Sequence, residues 1–296
     1  MTGNTGNTGN TGNTGNTGNT GNTGNAGTQG ELGGGWFIED RVDLPFVMEL
    51  DPANAPIRFM DRGNALLFGD RTWSARWWAH LVLHDFVGTA WRATADPAMN
   101  AAWGALNAAA TTAELNLLVN AARDERPPAM GEILSQDVEF ITDFMELLTI
   151  TPGSHPNTYR VLHAASLIGS YAVLYYKGLR GRPRPSQLRP ALLPPIPVPG
   201  HASWPSGHAT QAWLMMLCIE HVLNGVVTAG DLGTISSNLR TLATRIARNR
   251  EIAGLHYPSD SAHGRTLAGT IAPFLTGMPM GSWFDRAVTA AKGEWP

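Results

Sequence analysis

Apolar positions recur at helical spacing along most of the chain beyond residue 70. In Thr72–Ala90, Trp73, Trp77, Leu81, His84 and Val87 fall three or four residues apart, which places them on one face of a helix. The same spacing predicts further helices near 97–122, 128–149, 155–178, 206–226, 231–249, 258–276 and 282–292. Ser154 ahead of His155-Pro156 reads as an N-cap with proline in the first turn, and Asp231 as the cap of the helix after Ala229-Gly230. Arg182–Pro199 carries too many prolines to continue a helix and reads as a loop. Strictly alternating stretches are scarce, so the expected fold is an all-α domain of stacked helices.

Ahead of this domain the pattern is different in kind. Residues 2–25 are eight copies of Thr-Gly-Asn, and the glycine period of three continues through Gly27, Gly30 and Gly33. The composition fits a flexible low-complexity tail over residues 1–35. Glycine at every third place also fits a collagen-like or packed-glycine stem that would join several chains into a homo-oligomer, although the tract has no proline to extend its backbone. The mixed segment Trp36–Gly69 is expected to wrap the helices, giving a tail (1–35) and a helical domain (36–296).

Composition narrows the function. The hydrophobic share is 43% and the charged share 15%, as in a globular chain with a large interior. A net charge of −3 gives no general attraction to nucleic acid or anionic membrane. Val161–Tyr176 is the most membrane-like stretch, but at 16 residues it is short for a span and reads as a buried core helix. The N-terminus has neither a basic n-region nor an apolar h-region, which points to the cytoplasm. Cys218 is the single cysteine and lies in an apolar run, as an inert buried thiol would. His80 and His84 have the spacing of a metal pair but no evident third ligand, so they read as core or interface residues, and no metal cation is expected. The tryptophans at 73, 77, 78 and 91 read as core or oligomer packing, since too few basic residues interleave them for a nucleic-acid platform.

The chemistry lies in three short stretches. Lys177-GLRGRP-Arg184-Pro185 supplies a point charge and a guanidinium fork suited to oxyanions. Of the other arginines here, Arg180 or Arg182 is expected to be partly structural or solvated. Pro205-Ser206-Gly207-His208 opens a helix whose first amides and dipole favour an anion, with His208 placed for proton transfer. Read blandly, Ser206 is only a helix cap. In Arg250-EIAGL-His256-YPS-Asp260, a carboxylate four residues after a histidine can fix its tautomer and leave the other nitrogen as nucleophile or ligand. A buried His–Asp bond that only stabilises the fold would look the same.

Together and in this order, the stretches resemble the type-2 phosphatidic acid phosphatase superfamily, which includes bacterial non-specific acid phosphatases and vanadium haloperoxidases. Its pattern is Lys-x6-Arg-Pro, Pro-Ser-Gly-His and Ser-Arg-x5-His-x3-Asp, and every element is present except that Asn249 stands in place of the last serine. The resemblance implies a helical bundle of that type. It also implies that Lys177, Arg184, Arg250, Ser206 and the Gly207 amide hold an oxyanion, that His256 attacks phosphorus with Asp260 orienting it, and that His208 protonates the leaving group. A phosphatase of this type needs no cofactor. In the haloperoxidases the same pocket holds vanadate on the counterpart of His256, for peroxide-dependent oxidation of halide. His201, seven residues before His208, matches a histidine of the algal bromoperoxidases, whereas Leu174 stands where haloperoxidases carry tryptophan or arginine. The segments around PSGH and HYPSD look most like soluble bacterial members of the haloperoxidase-like branch. The first expectation is a soluble phosphomonoesterase acting on a small phosphate ester; the second is a vanadate haloperoxidase; the third is a structural protein built on the glycine-repeat stem.

Overall fold

The computed structural model describes residues 69–70 and 73–296, and among these no strand occurs. The Thr-Gly-Asn tract, the boundary at residue 35 and the segment 36–68 lie outside the described residues. The helices are α1 (Ala75–Val87), α2 (Trp91–Gly104), α3 (Ala108–Asp124), α4 (Arg126–Val138), α5 (Ile141–Leu147), α6 (Pro156–Arg180), the short α7 (Pro185–Leu188), α8 (Gly207–Leu223), α9 (Ala229–Ile252), α10 (Pro258–Thr276) and α11 (Trp283–Lys292).

Two helices form the centre. α6 packs on α1, α8 and α11, while α8 packs on α6, α9, α10 and α11. Both are buried nearly all round, which is why Val161–Tyr176 reads as membrane-like although no helix of the described residues is long and apolar enough to cross a membrane. Ile168, Leu214 and Ile219 are fully buried, and each such side chain stabilises the fold by about 1.5–3 kcal/mol. Cys218 is buried here, and burial pushes its thiol up, away from the thiolate.

Several helices differ from their expected form. The stretch 97–122 is two helices, parted at Asn107, whose carboxamide caps α3 by accepting from Ala110 N at 2.9 Å. The stretch 128–149 is also two, because the Glu139 carboxylate accepts from Ile141 N and Thr142 N and starts α5 anew. α1 buries Trp78, Ala79, Val82 and Phe86, whereas Trp77 and Val87 are about half exposed. Its two faces are almost equally apolar, so spacing alone selects the wrong one. His80 and His84 are exposed, not core, and among the described residues no cluster of three metal-binding side chains occurs.

Two caps also move. α6 begins at Pro156 with His155 at the N-cap and no side-chain cap of its own. Its first amides, Asn157 N and Thr158 N, donate instead to Glu294 from the far end of the chain, at 2.7 and 2.8 Å. α9 is capped by Thr228, with Asp231 in its first turn donating its amide to the Thr228 hydroxyl. The proline-rich segment is not all loop: α7 and a 3₁₀ turn at Pro190–Leu192 lie within it, each with proline in its first turn, where a missing N–H costs nothing.

Candidate active site

α6 ends at Gly181 after presenting Lys177 in its last turns. The Lys177 ammonium is buried and donates to the carbonyls of Ala202 and Ser203 at 2.6 and 2.8 Å, tying α6 to the segment before α8. Burial first, and then the Arg184 charge, lower its pKa well below the ordinary lysine value.

Arg184 is 1% exposed and joins the three motifs. Its guanidinium donates to His201 O at 3.1 Å and Leu255 O at 3.0 Å, and it lies 3.1 Å from His201 Nδ1 and 3.2 Å from His256 Nε2. Burial pulls its pKa down to about 9, and that of Arg250 to about 10, so both remain cations at neutral pH. Arg250 ends α9 and pairs with Asp137 of α4 at 3.2 Å.

Ser206 is the N-cap of α8, its hydroxyl oxygen accepting from Ala209 N at 3.4 Å. Gly207 follows as the first helical residue, so its amide is one of the helix-start donors with no intrahelical acceptor. The N-terminus of α8 lies against α10: a Cβ at Gly264 would stand 2.7 Å from Ser206 O, so only glycine allows this approach. His208 projects from the first turn, with Nε2 3.0 Å from Gln136 O and its ring 4.7 Å from that of Phe140. Burial, then Arg250, lower its pKa well below the ordinary histidine value.

Arg250 and His256 are joined by a tight turn through Gly254, whose φ of 78° is a left-handed conformation that favours glycine. His256, just ahead of α10, has its Nδ1 3.2 Å from Oδ2 of Asp260 in the first turn of that helix. Asp260 is fully buried and also accepts from Arg182 at 2.6 Å, from Tyr257 N at 3.1 Å and from the Ser203 hydroxyl. Burial opposes its ionisation, but the His256 hydrogen bond and the Arg182 charge outweigh that and hold the carboxyl well below the usual range. An ionised Asp260 accepts from Nδ1–H, so Nε2 carries the lone pair. Burial and the nearby Arg184 charge lower the His256 pKa far below its ordinary value and keep the ring neutral.

The structure thus brings Lys177, Arg184, Arg250, Ser206, Gly207, His208, His256, Asp260 and His201 into one neighbourhood. His201 is half-buried, its Nε2 has no hydrogen-bond partner, and its pKa falls to about 4 through burial and then the Lys177 and Arg184 charges. Arg182 is structural: besides Asp260 it bonds Ser259 at 2.8 Å and Glu114 at 3.1 Å, and it lies over the Tyr257 ring at 3.7 Å. Glu114, Gln136, Asp137 and Ser203 escape sequence reasoning. They come from helices or loops with no motif, and the one local signal is the polar Ser135-Gln136-Asp137 at the end of an otherwise amphipathic α4.

No curated protein matches this chain. The family model of the PAP2 superfamily matches residues 160–283, a span that begins in α6, ends in α11 and contains all three motifs. This part of the chain, which holds Lys177, Arg184, Ser206, His208, Arg250, His256 and Asp260, belongs to the type-2 phosphatidic acid phosphatase (PAP2) superfamily.

Proposed function

We propose that the protein is a phosphomonoesterase that works through a phosphohistidine. The observation that carries this reading is the environment of His256, a neutral imidazole whose Nδ1 is held by Asp260 while Nε2 lies beside Arg184. A phosphate ester seated there has its oxygens on Lys177, Arg184, Arg250 and the Gly207 amide. Fixed cations in a buried site stabilise the charge that builds on phosphoryl oxygens without reorganising during the reaction. The Nε2 lone pair forms the N–P bond as the ester P–O bond breaks. The departing alkoxide takes a proton from His208, which is protonated when the substrate's own negative charge offsets the Arg250 field. His208 then takes a proton from water, the oxygen attacks phosphorus, the N–P bond breaks, and phosphate and neutral His256 are regenerated.

A second reading is supported by His201, whose buried and unpartnered Nε2 has no task in ester hydrolysis. Vanadate has the shape and charge of phosphate and fits the same donor set, with Lys177, Arg184 and Arg250 on its oxygens and His256 Nε2 as its protein ligand. Bound vanadate would supply activation of hydrogen peroxide for oxidation of bromide or iodide, and His201 would hold a proton beside it. A purely structural role for the head is the weakest reading, because burying Lys177, Arg184 and Arg250 together costs desolvation and mutual repulsion that the fold alone does not require.

The test is hydrolysis of nitrophenyl phosphate by wild type and His256→Ala, with orthovanadate as competitor. The expected result is turnover that requires His256, an acid-labile phosphoenzyme in wild type, and competitive inhibition by vanadate. Turnover in His256→Ala would refute the mechanism. Bromination with vanadate, peroxide and bromide that depends on His256, without ester hydrolysis, would establish the second reading instead.

A further inference from the structure

We infer that Asn249 and Gln136 form a positioning device for His208, built where the family pattern has serine. This rests on the general-acid role proposed for His208. Gln136 sits in the last turn of α4, and its backbone carbonyl is one of those that a helix end leaves without an intrahelical donor. That carbonyl lies 3.0 Å from His208 Nε2. A carbonyl only accepts, so the neutral ring carries its proton on Nε2, and exchange with a substrate oxygen falls to Nδ1.

The Gln136 side chain is 1% exposed and bonded at both ends. Its Nε2 donates to Asp143 Oδ2 at 2.8 Å, and its Oε1 accepts from Asn249 Nδ2 at 2.9 Å. Asn249 Nδ2 also donates to Glu132 Oε2 at 2.8 Å. The carboxylates at the two ends accept only, which fixes the orientation of both amides. Asn249 therefore spends both hydrogens of one nitrogen on α4. A serine has a single hydroxyl hydrogen and can hold one of these partners, not both. Arg250 follows Asn249 directly and pairs with Asp137, the neighbour of Gln136. The end of α4 is thereby locked to the end of α9, and the acceptor of His208 is held in register with the oxyanion cation Arg250.

Asn249 and Gln136 act through His208 and touch no reacting atom in this scheme, so the test reads leaving-group dependence. Asn249→Leu removes both donors at similar volume. Its expected effect is a fall in kcat/KM, which reports the first step up to departure of the leaving group and not the later water step that also uses His208, of about tenfold on an alkyl phosphate, whose alkoxide needs the proton, and of less than about twofold on nitrophenyl phosphate. Asn249→Ser, which keeps one hydrogen bond, is expected to fall between Asn249→Leu and wild type, and it carries the same comparison if the leucine variant does not fold. An equal fall on both esters, or none, overturns the proposal. A second readout needs no activity: the imidazole ¹⁵N shifts of His208, assigned by their loss in His208→Ala. Wild type is expected to show the Nε2–H tautomer alone and Asn249→Leu a mixture. An unchanged tautomer overturns the proposal whatever the kinetics. If wild type hydrolyses neither ester, the phosphatase reading fails, and the tautomer measurement still decides this one.

Discussion

Asp260, in the first turn of α10, stands four residues beyond His256 and takes its Nδ1 at 3.2 Å, so the imidazole is held from behind with Nε2 turned toward Arg184. The carboxylate has three further donors, Arg182, Tyr257 N and Ser203, and none of them depends on a ligand. The imidazole proposed as nucleophile is therefore set in orientation and tautomer by the fold itself.

Replacing that carboxylate by an amide should reverse the tautomer. In Asp260→Asn the amide can present N–H to Nδ1, which places the imidazole proton on Nε2 and removes the attacking lone pair. The expected fall in kcat on nitrophenyl phosphate is about 10³–10⁴-fold, the scale seen when a triad carboxylate is so replaced. Inhibition by inorganic phosphate should remain within a few-fold of wild type, because the three cations are untouched. Steady-state kinetics with phosphate as inhibitor checks both, and a kcat within tenfold of wild type would show that Asp260 does not set the tautomer.

Arg182 should matter to stability before it matters to turnover. It is 6% exposed and bridges Asp260 and Glu114, which are themselves buried or nearly so. Arg182→Leu leaves both carboxylates without their cation, and breaking a buried pair in this way costs about 3–5 kcal/mol. Urea unfolding at neutral pH should show a loss of unfolding free energy of that size, read as a lower midpoint with unchanged slope. A loss below about 1 kcal/mol would place Arg182 with ordinary surface pairs.

Acid should weaken the fold through histidines held neutral, and His163 tests this away from the reaction. It is fully enclosed in α6, against Tyr159 at 4.4 Å between rings, and its Nε2 has no partner. Burial, aided by the Arg76 charge, lowers its pKa to about 3. The unfolded chain takes up a proton near the ordinary value of about 6.5, while the native state does not until about pH 3. Stability therefore falls as pH drops through this window and is indifferent to His163 above it. In His163→Leu the slope between pH 6 and 4 should be shallower by about 1.4 kcal/mol per pH unit. Urea unfolding across that range reads the difference, and parallel curves for the two proteins would contradict it.

Much of this arrangement is legible in the chain. The bounds of the helices that carry motifs follow to within a few residues, because α6, α8 and α10 pair long apolar runs with proline or serine at their starts. Where periodicity runs on without a strong punctuator, as through 97–122 and 128–149, the chain gives no sign that one expected helix is two. Nothing local marks the break at Asn107 or at Glu139, since capping side chains of this kind also sit inside helices. The buried face of α1 was missed because both of its faces are apolar.

By itself the sequence determined the class of chemistry. Cation, anion-binding helix start and His-x3-Asp depend on residue type and short spacing, and His256 just ahead of a helix start lies within reach of Asp260 in its first turn. It also determined that α6 and α8 are interior, since no polar face is available to either. The tertiary structure alone decided which charges are structural and which face the pocket. Arg182 and Arg184 are two residues apart in one motif, yet one is spent on Asp260 and Glu114 while the other reaches His256 and His201. It alone brought Gln136 to His208 across 72 residues, and Gln136 and Asp137 to Asn249 and Arg250 across 113. Such partners are chosen by how helices cross, and crossing geometry is set by the whole core, not by any segment of the chain.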